Sequence, residues 1–307
     1  MKKLIEKIEE KIGCVQLVDR ISENISNSDL NSLLLEIFKN KTEKICPADL
    51  LNQFSNNRFT LPSTIDVIEY KKFEIKWLES AKTIGFTPIQ LSPLTQLGSC
   101  SAVGFVNQNN VVSALRNTEV VSDSTNVLAL ITANEFKKNH SNDRIRYSTA
   151  HRHTRAQHFT NPAFSAHFGA FCMVSGGLDK GSFSFELEEL YKHLAFYLSI
   201  LENELESKLI VKVQLKSERK DFADKLIEAA SNISSKVNFI KEEVDNTVDY
   251  YDLVRIKIFT IYKELEIDLI DMGFVDWTKK LLNNKKHRML TSGGGLELIF
   301  KLKNKLI

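Results

Sequence analysis

Apolar residues recur at helical spacing over residues 2–12, where Leu4, Ile5, Ile8 and Ile12 are interleaved with Lys and Glu, and this predicts a short amphipathic helix. The segment NSLLLEIFKNK at 31–41 predicts a second. From Ile65 to Gly85 the run IDVIEYKKFEIKWLESAKTIG predicts a long helix with Ile68, Phe73, Trp77 and Ala81 available for one face, stopped by Gly85. The next residues, FTPIQLSP, read as a strand closed by Pro93. Further strand candidates are NVVSALR, RIRYSTAHRH, AHFGAFCMVSG, KLIVKVQLK and LVRIKIFTIYKELEIDLI, separated by helix candidates around 185–206, 217–230 and 275–284. Strands mixed irregularly with helices favour an α+β sheet over a doubly wound parallel one.

Composition narrows the function classes. The chain has 307 residues, 43% of them hydrophobic, enough for a well-buried core. A net charge of +2 gives no global electrostatic drive toward nucleic acid or an anionic membrane, although a local basic site remains open. Cys14, Cys46, Cys100 and Cys172 are widely spaced without a CxxC pair, so neither a structural zinc site nor a disulfide framework is suggested. The N-terminus, MKKLIEKIEEKIG, is too charged for a signal peptide, and no apolar run approaches the roughly 20 residues needed to span a bilayer. A cytoplasmic protein with no membrane partner is expected.

The run RIRYSTAHRHTRAQHF concentrates Arg146, Arg152 and Arg155 with His151, His153 and His158. As a strand, it sends Arg152 and Thr154 to one face and His151 and His153 to the other, with the arginine face expected to meet an anion and the histidine face the protein. A zinc site from His151, His153 and His167 is conceivable. Imidazoles on a sheet are more often simply hydrogen-bonded, and no acidic fourth ligand is evident, so no metal is assigned. After a loop containing Asn161 and Pro162, AHFGAFCMVSGG returns as an antiparallel strand. Arg152 on a phosphate and Phe168 on a base would then form a nucleotide clamp. Taken alone, Phe168 is equally an ordinary core aromatic.

At this point the residues resemble class II aminoacyl-tRNA synthetases, most of all the histidyl branch. HRHTRAQ at 151–157, with HF at 167–168 and Gly176 and Gly177 closing the second strand, resembles motif 2. The long helix followed by GFTPIQLSP resembles motif 1, with Pro93 as its terminal proline, and RMLTSGGGLELIFKL resembles motif 3. The helix FELEELYKHLAFYLSILE followed by KLIVKVQL resembles the elements that come after motif 2 in the histidyl branch. Between motifs 1 and 2, RNTEVVSDSTNVLAL resembles the stretch that holds the amino acid's ammonium group. Two registers are open there, Thr118–Glu119 or Asp123–Thr125, beside the plainer reading of Asp123 or Ser124 as a helix N-cap.

The resemblance covers about residues 65–305 and implies a mostly antiparallel sheet flanked by helices at 65–307, preceded by a short helical extension at 1–64. Motif 1 implies a homodimer. ATP and Mg²⁺ are the implied cofactors. Arg152, as the catalytic residue, would hold the α-phosphate, with Thr154, Arg155, Phe168, Gly295 and Glu297 completing the nucleotide site. Arg116, Thr118, Glu119, Asp123, Thr125, Gln157 and His167 would line the site of a small amino acid or carboxylate. Two departures bear on the chemistry: Thr154 stands where motif 2 has its glutamate, and Leu298 where motif 3 has its arginine. No anticodon-binding domain is expected after motif 3, and tRNA is not expected as a partner. The leading expectation is ATP-dependent activation of a small carboxylate or amino acid as an adenylate for another acceptor. The alternatives are a non-catalytic regulatory or amino-acid-sensing subunit, similar to the synthetase-like regulatory subunit of histidine biosynthesis, or a binder of another anionic metabolite on the same scaffold.

Overall fold

The computed structural model describes residues 2–139, 144–157, 165–215, 224, 225, 227, 228, 237–243 and 251–307. The loop with His158, Asn161 and Pro162 and most of the helix expected at 217–230 lie outside the described residues.

Four helices open the chain: α1 (Lys2–Ile12), α2 (Leu17–Asn24), α3 (Asn27–Thr42) and α4 (Pro47–Asn56). None of them contains a buried residue. The long helix α5 (Val67–Thr83) starts where Asp66 accepts hydrogen bonds from the backbone N–H groups of Ile68 and Glu69, and Gly85, at φ 92°, turns the chain out of it. Its buried stripe is Tyr70, Phe73, Trp77 and Ala81, whereas Ile68, expected on that face, is 62% exposed. The i, i+3, i+4 spacing centres on Trp77 and leaves Ile68 on the far side.

An eight-stranded sheet forms the body, in the order β1-β5-β6-β11-β10-β9-β7-β8. Its members are β1 (Thr87–Pro88), β5 (Arg144–Thr154), β6 (His167–Leu178), β7 (Leu209–Leu215), β8 (Asn238–Glu243), β9 (Val254–Tyr262), β10 (Leu265–Val275) and β11 (His287–Gly294). The pairs β1–β5 and β7–β8 are parallel and the others antiparallel. A separate three-stranded sheet holds β2 (Leu94–Gln96), β4 (Thr118–Val120) and β3 (Ser113–Ala114).

Four further sequence expectations are corrected. The strand FTPIQLSP pairs over only two residues, because prolines at 88 and 93 remove ladder donors and confine it to the edge. NVVSALR contributes only Ser113–Ala114 before Arg116 and Asn117 turn the chain at φ 66° and 56°. The run 253–270 is a hairpin rather than one strand: Lys263 and Glu264, at φ 48° and 67°, form the two-residue turn whose twist matches the flanking strands. β10 then continues to Val275 and shortens the helix expected at 275–284 to α8 (Trp277–Leu281).

Helices cover both faces of the sheet. α5, α7 (Ser184–Glu204) and α9 (Leu296–Lys303) lie on one, around an aromatic cluster in which Trp77 meets Phe171 edge-on at 5.3 Å and Phe171 stacks on Phe196 at 5.5 Å. On the other, α6 (Ser124–Lys138) and α8 pack Leu128 and Trp277 against Val174 and Met289. Phe171 and Met173 therefore face one helix layer while Cys172 and Val174 face the other, which is why AFCMV is apolar without alternation. Helix α6 was foreshadowed only by the N-cap reading of Asp123 or Ser124, which the Asp123 cap bears out, and not by its own pattern. Its sequence STNVLALITANEFKK is rich in β-branched residues and buries Thr125, Asn126 and Thr132 beside Leu128 and Ala129, so no amphipathic stripe marks it.

Candidate functional site

A cavity of about 540 Å³ opens on the α6 side of the sheet, beyond the end of that helix. Its walls come from His153 on β5, Phe168, Ala170 and Cys172 on β6, Arg255 on β9, Asp268 and Asp271 on β10, Thr291, Gly293 and Gly294 on β11, Leu298 and Lys301 on α9, and Asp123 and Thr125 at the start of α6. Gly294 is required there: a Cβ at this position would stand 2.1 Å from the Leu269 carbonyl oxygen, beside the irregularity that interrupts β10 between Asp268 and Ile270.

Register decides which motif 2 residues reach the cavity. His153 opposes Phe168, Arg152 opposes Gly169 and Thr154 opposes His167. Opposed residues share a face, so His153 and Phe168 go to the cavity while Arg152, Thr154 and His167 go to the other side. The face expected to meet only protein is thus the one that lines the cavity. The same register keeps His153 and His167 on opposite faces, so the three histidines weighed for zinc do not converge. Among the described residues no group of three His, Cys, Asp or Glu side chains is placed to hold a metal.

Arg152 takes part in a closed network instead. Its Nε donates to His167 Nδ1 at 2.7 Å and its Nη2 pairs with Glu297 Oε2 at 3.0 Å. Because Nδ1 accepts, the ring proton of His167 is on Nε2, which donates to the Leu61 carbonyl at 2.6 Å. Ser63 Oγ donates to Glu297 Oε1 at 3.0 Å, so the segment between α4 and α5 closes the ring of contacts. Buried Glu297 also accepts from Gly169 N at 3.2 Å and pairs with Lys301 at 3.0 Å. Burial raises its carboxyl, but Lys301, Arg152 and the Gly169 N–H outweigh that and hold it below the usual carboxylate range.

The two registers of the substrate stretch separate clearly. Glu119 is fully buried and accepts from Gly98 N at 2.8 Å, Cys100 N at 3.0 Å and Gln108 Nε2 at 2.9 Å, away from the cavity. Thr118 donates to the Leu115 carbonyl, and Arg116 sits in the β3–β4 turn with its N–H on Asn31 Oδ1. Asp123 and Thr125 line the cavity, and Asp123 is at once the N-cap of α6, its Oδ1 accepting from Thr125 N at 2.8 Å and Thr125 Oγ1 at 2.7 Å. The capping reading and the binding-residue expectation therefore fall on the same carboxylate. Gln157 is exposed, and its carbonyl accepts from Arg58 at 3.1 Å. Gly295, the N-cap of α9, also lines the cavity.

Each cation in the wall already has a protein partner. Arg155 lies 5.3 Å over the Phe168 ring and donates to the Ser122 carbonyl at 3.3 Å. Arg255 makes a two-point pair with Asp271 at 3.0 and 2.5 Å, and Lys301 pairs with Glu297. Asp268 is pushed up, by burial first and by the Asp271 charge, against the opposing pull of Lys257. His153 is driven well below the usual imidazole range by burial and by the Arg155 and His151 charges, so the ring is neutral.

Sequence reasoning missed Arg255, Asp268, Asp271, Lys301 and Cys172. The signal for the first three was charge inside otherwise apolar strand runs, VRIKIF and IDLID. Which of those charges share a face is fixed only by the hairpin and the irregularity in β10.

Among the described residues lining the cavity, no cation is left without a protein partner for MgATP. Four carboxylates, Asp123, Asp268, Asp271 and Glu297, face three cations, Arg155, Arg255 and Lys301. Like charges disfavour a triphosphate. Leu298 presents a hydrocarbon side chain, and Glu297 has no contact left for a metal.

No protein-family model and no curated protein matches the chain. Solved structures do. An ATP phosphoribosyltransferase regulatory subunit/histidyl-tRNA synthetase from Bacillus halodurans superposes with a TM-score of 0.62 at 15% identity, over 81% of this chain and 83% of that one. The apo histidyl-tRNA synthetase of S. aureus gives 0.59 at 11% identity, over 80% and 71%. The RNA binding domain of threonyl-tRNA synthetase from Cryptosporidium parvum gives 0.60 at 10% identity, over 77% and 64%. The fold is the class II aminoacyl-tRNA synthetase catalytic core, an α+β domain with a large, mostly antiparallel sheet flanked by helices. Within that class it is similar to the histidyl branch and its regulatory paralogue.

Proposed function

We propose that this synthetase-like paralogue binds a free α-amino acid in the cavity and acts as a non-adenylating regulatory or sensing subunit. The charge balance of the wall carries this reading. With four carboxylates against three partnered cations and Leu298 in the motif 3 arginine position, the site suits a compact zwitterion better than a nucleoside triphosphate. Asp123, beside Thr125 at the start of α6, is the group placed for the ammonium. The Phe168–Arg155 wall is left for the side chain.

On this reading the core, residues 65–307, pairs with a second copy through α5, and residues 1–64 form an extension whose helices bury nothing of their own. Adenylate formation is the second reading. It is favoured by the Phe168–Arg155 pair, a flat cation-capped surface suited to a purine.

Calorimetric titration separates the two. Binding of one or more free L-amino acids, without MgATP binding and without amino-acid-dependent pyrophosphate exchange, is the expected result. Pyrophosphate exchange would overturn the regulatory reading in favour of the ligase.

A further inference from the structure

His153 is 2% exposed, and its ring forms part of the cavity wall. Its Nε2 meets the first turn of α6, where the Ser124 backbone N–H donates to it at 3.1 Å and the Ser124 hydroxyl lies at 2.7 Å. A backbone amide can only donate. Nε2 is therefore the acceptor, and in the neutral ring the proton must be on Nδ1. That Nδ1 has no hydrogen-bond partner among the described residues. A buried donor of this kind calls for an acceptor that the described residues do not supply.

The neighbours narrow what the acceptor is. Phe168 opposes His153 across the β5–β6 ladder and presents its ring at 5.7 Å, nearly edge-on. Asp123 precedes Ser124, and its Oδ1 is committed to Thr125. Two consecutive residues thus bring an anionic acceptor and a neutral donor to one corner of the cavity, one directly and the other by fixing the His153 ring.

We propose that His153 is a specificity-determining residue that gives its Nδ1–H to a carboxylate oxygen of an α-amino acid whose ammonium is held by Asp123. The proposal rests on the amino-acid reading above and adds the group that recognises the acid end. Selectivity follows from the unpaired state: a ligand without the oxygen leaves the Nδ1–H buried and unsatisfied, so the site rejects it.

The test uses the full chain with ¹⁵N-labelled histidine rings, and titrations with the proteinogenic L-amino acids. The tightest of these is then compared with its decarboxylated amine. Before ligand, the His153 ring signals should place the proton on Nδ1. The amine should bind the native chain about tenfold to a hundredfold more weakly than the amino acid. His153→Phe should bind both with the amine's affinity, and His153→Asn, which restores a neutral donor, should recover part of the preference. If His153→Phe fails to fold, the Asn variant and the native ring signals still decide. A ring protonated on Nε2, or an amine that binds as well as its parent amino acid, overturns the role of His153 while leaving the amino-group site standing. Failure of every probe to bind removes both readings together.

Discussion

Glu189, on α7, has a fully covered side chain beneath the arginine face of β5, where it pairs with Arg144 and with Arg146, whose Nη2 and Nε lie at 2.6 and 2.8 Å. Burial alone would raise its carboxyl. Hydrogen bonds from Arg146 and Ser175 and the charges of Arg146 and His193 outweigh that and bring the pKa down to about 2, against an ordinary value of 4.5. A carboxyl shifted that far contributes about 3 kcal/mol of stability at neutral pH. Because the unfolded chain takes up the proton first, the contribution is complete above the ordinary value and is lost as the pH falls from there through about 2.

Glu189→Gln keeps the shape and removes the charge, leaving two arginines with side chains 18% and 19% exposed against a neutral amide. Urea unfolding of native and variant chains should differ by about 3 kcal/mol at neutral pH, reduced by whatever half-exposed Glu188 recovers, and the gap should narrow as the pH approaches about 2. A gap below about 1 kcal/mol at neutral pH, or one that does not change on acidification, would refute the reasoning, because an exposed ion pair would give the first and a packing defect the second.

Three further outcomes follow from the site. Asp123→Asn should weaken amino-acid binding about tenfold or more while leaving thermal stability nearly unchanged, since Asn caps a helix as well as Asp; unchanged affinity in titration would exclude Asp123 from the ammonium site. Leu298→Arg places an unpaired cation in the cavity wall and should strengthen MgATP binding over the native chain in calorimetry, and no gain would count against the motif 3 register. Gly294→Ala forces a Cβ to within 2.1 Å of the Leu269 carbonyl and should lower stability by about 2 kcal/mol or more in thermal melts, with a neutral result contradicting the close approach of β10 and β11.

Much of the architecture was legible from local pattern. The Phe73, Trp77 and Ala81 stripe and the RIRYSTAHRH and AHFGAFCMVSG strands are where period places them, and the glycine-rich passage into the last helix is where the resemblance to motif 3 places it. Helix α6 was legible only at its N-cap, because its body is buried on several sides and its Thr, Asn and Val residues blur the period. The edge strand after α5 shrank because proline cannot donate to a ladder.

For the site, the chain by itself determined which residue types are available: a cluster of arginines and histidines, an Asp-Ser-Thr at a helix start, three consecutive glycines, and a leucine in place of an arginine. Alternation also determined that Arg152 and His153 part company. Only the tertiary structure decided which of them meets the cavity. That choice depends on which face of β5 receives α5 and α9 and which receives α6, a matter of long-range packing that period-two spacing leaves undetermined. The same packing ties Arg152 to Glu297, buries Glu119 among the Gly98 and Cys100 amides, and brings Arg255 and Asp271, 16 residues apart, into one wall. Short-range periodicity fixes direction along an element, whereas the partner that each face meets is set by contacts between residues far apart in the chain.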